Sequence, residues 1–163
     1  MENKMIIGNA LEIGIQLEYI IELSSPSGLF NFIIDDRLIP GKGIVTDLYV
    51  VISSLKDSLN NKLADGVIDI GEIPLDDLDF SNGAPENVLW LDVSELSDYG
   101  CVFWLGFDRG FERLFYSTDF EKTIQEKIYP KGTIEKLINS LPDAKDFIIR
   151  RINKEVTITD VTV

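Results

Sequence analysis

Across residues 13–23 every odd position is apolar: Ile13, Ile15, Leu17, Tyr19, Ile21 and Leu23. The positions between are mainly small or polar, among them Gly14, Gln16, Glu18 and Glu22. A period of two predicts a strand with one buried face. Ser24-Ser25-Pro26-Ser27-Gly28 is a turn cluster. Residues 29–34, apolar except for Asn31, supply the antiparallel partner. Asp35-Asp36 turns into a short third strand, Arg37-Leu38-Ile39, and Pro40-Gly41-Lys42-Gly43 ends the meander.

The period then changes. Leu48, Val51, Ile52, Leu55 and Leu59 recur at helical spacing across residues 46–63, with Lys56, Asp57, Asn60 and Asn61 elsewhere on the wheel. Thr46 is placed to cap this helix, and Asp47 suits the positive end of its dipole. Gly66 stands where a left-handed residue closes a helix. Residues 65–100 hold Gly71, Pro74, Gly83 and Pro85 among acids and read as loop, broken by a short buried strand at Val88-Leu89-Trp90-Leu91. Residues 101–107 are almost wholly apolar and fit a central strand covered on both faces, a pattern a short buried helix shares. Asp108-Arg109-Gly110 is expected as a three-residue hairpin loop with Gly110 left-handed, returning along residues 111–116. Residues 121–129 are read as strand. Ile134, Leu137, Ile138 and Leu141 give a second amphipathic helix, capped by Thr133 and stopped near Pro142, which can open another short helix through Ile152. Residues 155–163 form an edge strand or a loose tail. Without an internal repeat or a separating linker, residues 1–163 are expected as a single α+β domain. Its mainly antiparallel β-sheet carries two or three amphipathic helices.

Composition narrows the class. The 163 residues include 28 acids and 15 bases, a net charge of −13. Polyanions repel such a surface, so neither nucleic acid nor an anionic membrane is an expected partner. The absence of histidine removes the commonest general base and metal ligand. One cysteine forms no intrachain disulfide or zinc cluster. No window approaches the ~20 apolar residues of a membrane span, and the mixed-charge start is not a signal peptide, so the expected place is the cytoplasm.

Position matters more than total charge. Residues 1–100 carry 18 acids and 5 bases and so hold the whole net charge, while residues 101–163 balance at 10 and 10. From 63 to 108 there are 11 acids and no Lys or Arg. Carboxylates crowded without counter-ions repel one another and cost stability, a cost that a basic partner relieves. A solvated acidic loop is the plainer reading.

Candidate chemistry is thin. Asp76-Asp77-Leu78-Asp79 resembles the start of a calcium loop. Counting from Asp77, however, the sixth and twelfth places hold Asn82 and Val88 instead of Gly and an acid, so no metal is expected. Gly41-Lys42-Gly43 lacks the hydroxyl residue of a phosphate loop, so no cofactor is expected either. No carboxylate pair stands out for glycosidase work. Ser53 lies three before Lys56, but both belong to the predicted helix, where a solvated face explains them. Cys101, Trp90, Trp104, Phe103, Phe107, Phe111 and Phe115 read as core.

Several stretches resemble the immunity protein 42 family, one of the families that partner bacterial polymorphic or contact-dependent inhibition toxins. They are Met5-Ile6-Ile7-Gly8 leading into Ile13-Gly14-Ile15-Gln16-Leu17-Glu18, then Gly28-Leu29-Phe30-Asn31-Phe32-Ile33-Ile34 with Leu38-Ile39-Pro40. Arg113-Leu114-Phe115-Tyr116 and Pro130-Lys131-Gly132-Thr133 are similar too. The resemblance implies a non-enzymatic inhibitor that binds the C-terminal domain of a cognate toxin, often a basic nuclease. On that reading Asp69, Glu72, Asp76, Asp77, Asp79 and Glu86 form the toxin-binding patch, and the free protein is a monomer. The alternative class is an acidic secretion chaperone holding an effector segment, which a stable dimer would mark. A hydrolase using carboxylates or a bound metal is a third, which cation-binding calorimetry would mark.

Overall fold

The computed structural model describes residues 4–9, 11–20 and 26–146. The alternation that starts at Ile13 becomes β2 (Ile13–Ile20), flanked by β1 (Lys4–Asn9) and β3 (Ser27–Ile34). Ile21 and Leu23 lie outside the described residues. The short strands β4 (Arg37–Ile39) and β5 (Val45–Asp47) both pair with β3. Ile13 opposite Ile34, Ile15 opposite Phe32 and Leu17 opposite Phe30 set one apolar face, all of it buried. Asp35 and Asp36 take φ of 50° and 60°, the left-handed pair that a two-residue hairpin needs and that aspartate tolerates. A Cβ on Gly28 would meet the Glu18 carbonyl oxygen at 1.8 Å, so only glycine lets β3 lie this close to β2.

The long helix α1 (Leu48–Ala64) buries Leu48, Val51, Ile52, Leu55 and Leu59, the five residues its period picks out. Its cap is Asp47, not Thr46: the Asp47 carboxylate accepts from Val50 N at 3.1 Å. Thr46 is drawn into β5, where it pairs with Gly28 and is buried. Beyond the helix Gly66, at φ 90°, donates to Leu63 O at 3.2 Å.

The second sheet runs in chain order: β6 (Leu89–Leu91), β7 (Val102–Asp108), β8 (Phe111–Ser117), β9 (Gln125–Pro130). β7 is the central strand that its apolar run predicts. The β7–β8 turn has two residues, not three, because Asp108 pairs directly with Phe111; Arg109, at φ 52°, takes the left-handed place assigned to Gly110. Strand does not cover all of residues 121–129. Ser117 Oγ accepts from Glu121 N and the Asp119 carboxylate from Thr123 N, each at 2.9 Å, curling the chain until Gln125.

Helix α2 (Thr133–Asn139) buries Ile134, Leu137 and Ile138. Thr133 does not cap it, since its hydroxyl donates to Pro130 O at 2.6 Å. The cap comes from β8: the Glu112 carboxylate accepts from Gly132 N and, at 2.7 Å, from Ile134 N. Residues 144–146 make a helical turn, while the rest of the helix expected through Ile152, and residues 155–163, lie outside the described residues.

The inner faces of both sheets meet each other, α1 and α2 in one core. Phe32 of the first sheet and Phe103 of the second lie with ring centroids 4.3 Å apart. This is the α+β, mainly antiparallel architecture that the two periodicities predict.

Candidate functional site

The second sheet is covered on its outer face too. Trp104 and Phe115 face away from the main core and are buried beneath residues 65–88. Ile70, Leu75, Leu78, Phe80 and Val88 form a second, smaller core with them; Phe80 lies 4.8 Å from Trp104 and 5.4 Å from Phe115, ring centre to ring centre. Ile70 seats over Gly106, where a Cβ would meet its Cδ1 at 2.7 Å, and Ile70 N donates to Phe107 O at 2.9 Å. The base-free stretch is therefore a strap. Its few apolar residues anchor it, and its acids are left on the outside.

All six acids assigned to the patch are exposed: Asp69, Glu72, Asp76, Asp77, Asp79 and Glu86. They do not form one uniform group. Asp69 accepts from Arg109 N at 2.5 Å, and Glu72 holds the Arg109 guanidinium at 2.8 Å. Arg109 sits at the β7–β8 turn, one residue past the base-free stretch, so the fold supplies there a counter-ion that sequence order does not show. Asp79 accepts from Ser81 Oγ at 2.5 Å and Ser81 N at 2.9 Å, and these bonds hold its carboxyl below the usual range. Asp76 and Asp77 stand in the 3₁₀ turn Leu75–Asp77, where Asp77 N donates to Pro74 O at 2.9 Å; their carboxylates, like that of Glu86, make no hydrogen bond or ion pair to any described residue. Among the described residues no three carboxylates or thiols converge closely enough to share a metal ion.

A groove of about 430 Å³ runs beside the strap, between Pro74 and Leu75 on one side and Phe111 and Ile128 on the other. Arg113 lies in its floor, 5% exposed, holding Glu126 at 2.6 Å and Gly71 O at 2.9 Å, with its guanidinium 5.2 Å from the Phe115 ring centre. Arg113 thus ties the strap to the sheet. The alternation of Phe111, Arg113 and Phe115 was the available signal, because it puts an arginine on an otherwise aromatic face. Phe111 and Trp90 are not core residues as expected: each is 51% exposed, Phe111 at an end of β8 and Trp90 on the short edge strand β6.

The other candidates resolve into structure. Cys101 is buried, and burial pushes its thiol up to about 11. Ser53 Oγ donates to Tyr49 O at 2.6 Å. Lys56 does not lie on a solvated face: its ammonium reaches across to Leu141 O at 2.7 Å, joining α1 to the chain after α2. No helix among the described residues is long and apolar enough to cross a membrane.

A sequence model of the family described as immunity protein 42 matches residues 5–144. No curated protein matches the chain. Among solved structures, the crystal structure of CdiI from Burkholderia dolosa AUO158 is similar, with a TM-score of 0.56 over 83% of this chain and 96% of that one. At 12% sequence identity, that likeness is one of fold.

Proposed function

The chain belongs to the immunity protein 42 family, which makes toxin neutralisation its function, and we propose that it acts by laying the acidic strap on the cationic surface of a cognate toxin domain. The contact patch is Asp69, Glu72, Asp76, Asp77, Asp79 and Glu86, and the toxin is a basic nuclease whose phosphate-binding surface these carboxylates occupy. One observation carries the reading. The strap's carboxylates are held outward by a private apolar core, so they meet a partner as a fixed array with little ordering left to do. Fixed charge of one sign also speeds encounter and disfavours wrong partners. The protein works in the cytoplasm as a non-enzymatic inhibitor, monomeric until it meets the toxin, and binds neither nucleic acid nor membrane.

The test uses the three acids that hold no partner of their own. Reversing them in D76K/D77K/E86K leaves the strap's anchors and the Arg109 contacts in place. Toxin affinity is expected to fall about a hundredfold, and the variant's affinity to lose most of its dependence on salt. Unchanged affinity and salt slope would place the toxin elsewhere on the molecule.

A further inference from the structure

A cavity of about 490 Å³ opens on the other side of the second sheet, at the end of the space between the two sheets. Strand register builds it. Arg37 pairs with Ile34 at the open end of edge strand β4, so it shares with Ile39 the face turned toward the second sheet. Ile39 and Ile44 give the cavity an apolar wall, Tyr116 faces them from β8, and Lys42 joins Arg37 at the mouth. Leu38 and Tyr99, also on the lining, are left 47% and 49% exposed.

The charge here runs against that of the molecule. Asp35, on the same lining, is held by Lys127. Arg109 and Arg113 are each paired with carboxylates. The side chains of Arg37 and Lys42 make no hydrogen bond or ion pair among the described residues, in a chain of net charge −13. Two cations whose side chains hold no carboxylate therefore stand at a recess with an apolar wall, Ile39 and Ile44, and a polar one, where the Tyr116 hydroxyl donates to Gln125 at 3.2 Å. The cations stand exposed at the mouth beside the uncovered apolar side chains of Leu38 and Tyr99, an arrangement suited to a chain lying across it.

We infer that this cavity docks an acidic segment of a partner protein, with an apolar side chain entering between the sheets and its flanking carboxylates on Arg37 and Lys42. Arg37 supplies a planar fork for a carboxylate, and Lys42 a second point charge. The strap faces away from this opening, so the two surfaces are independent and one can fail without the other.

The experiment is a titration of the isotope-labelled full chain, followed by backbone amide shifts. Three short probe peptides are used: phenylalanine between two glutamates, the same peptide with glutamines, and the acidic peptide with alanine for phenylalanine. Saturable shifts are expected around Leu38, Ile44, Tyr99 and Tyr116 with the first peptide, and binding about tenfold weaker with the other two. R37Q/K42Q should weaken the acidic peptide about tenfold, leave the glutamine peptide unchanged, and unfold at the parent temperature. Any of four results would overturn the inference: no saturable shifts, shifts indifferent to R37Q/K42Q, phenylpropionate or phenyl phosphate binding as tightly as the peptide, or self-association that R37Q/K42Q abolishes. The last two would mark a small-anion pocket and a contact between copies of this chain.

Discussion

Glu112 is a carboxylate 1% exposed, and at the scale of single residues it ties two elements of the fold together. It reaches from β8 to accept the N–H groups of Gly132 and Ile134, which the first turn of α2 leaves without partners. Desolvation by burial raises its pKa above the ordinary 4.5, against the opposing pull of those bonds. The sign follows from linkage. A carboxyl with a raised pKa adds stability that is full below its unfolded value and lost as pH climbs through the folded one. Denaturant unfolding should therefore show wild type losing ground to E112Q as pH rises through that window, because glutamine does not titrate. E112A, which leaves both N–H groups unmet, should cost about 2–4 kcal/mol below that window and less as pH rises through it. Cys101 follows the same rule at the alkaline end. Its thiol is raised from 9.0 to about 11, so roughly 2–3 kcal/mol present below pH 9 is lost as pH passes 11, and C101A should lack that loss. Thiol reagents should leave the native protein unmodified near neutrality, since the group is both buried and protonated.

At the scale of elements, the strap differs from the strands beneath it. Except for Val67, which packs on the main core, its apolar contacts belong to the smaller core around Trp104 and Phe115, separate from the one that joins the sheets to α1. F80A removes the ring that lies on both Trp104 and Phe115. We expect that substitution to cost about 1–3 kcal/mol and to act locally. Limited proteolysis and hydrogen exchange should show residues 65–88 opening while α1 keeps its protection. Equal loss of protection throughout would mean that the two cores melt as one. Helix α1 was legible without help, because five apolar residues at one spacing leave it a single face to bury. The end of α2 was not, because its cap comes from another strand, 20 and 22 residues away in sequence.

The whole molecule carries 28 acids and 15 bases, and its free form should be most strained electrostatically at low ionic strength. Raising salt from low to moderate should raise the unfolding temperature of the free protein, because the strap's exposed carboxylates are screened from one another. The same salt should slow association with a basic toxin domain; a free protein indifferent to salt would mean that Arg109 and the other local pairs already balance the strap. What the sequence determined by itself was whatever depends on neighbours along the chain. Period two placed β2 and its hairpin partner, period 3.6 placed α1, and the run of acids without bases marked the strap. Immunity protein 42 membership was visible in the same way, as short patterns read in order. Tertiary structure alone decided what covers what. It folded the acidic stretch onto Trp104 and Phe115, brought Arg109 back to Glu72, lent Glu112 to a helix it does not belong to, and left Arg37 and Lys42 at the mouth of a recess between the sheets. Each of these joins residues far apart in sequence, or across a turn, through burial and charge, and such forces depend on distance in space, which local periodicity does not record.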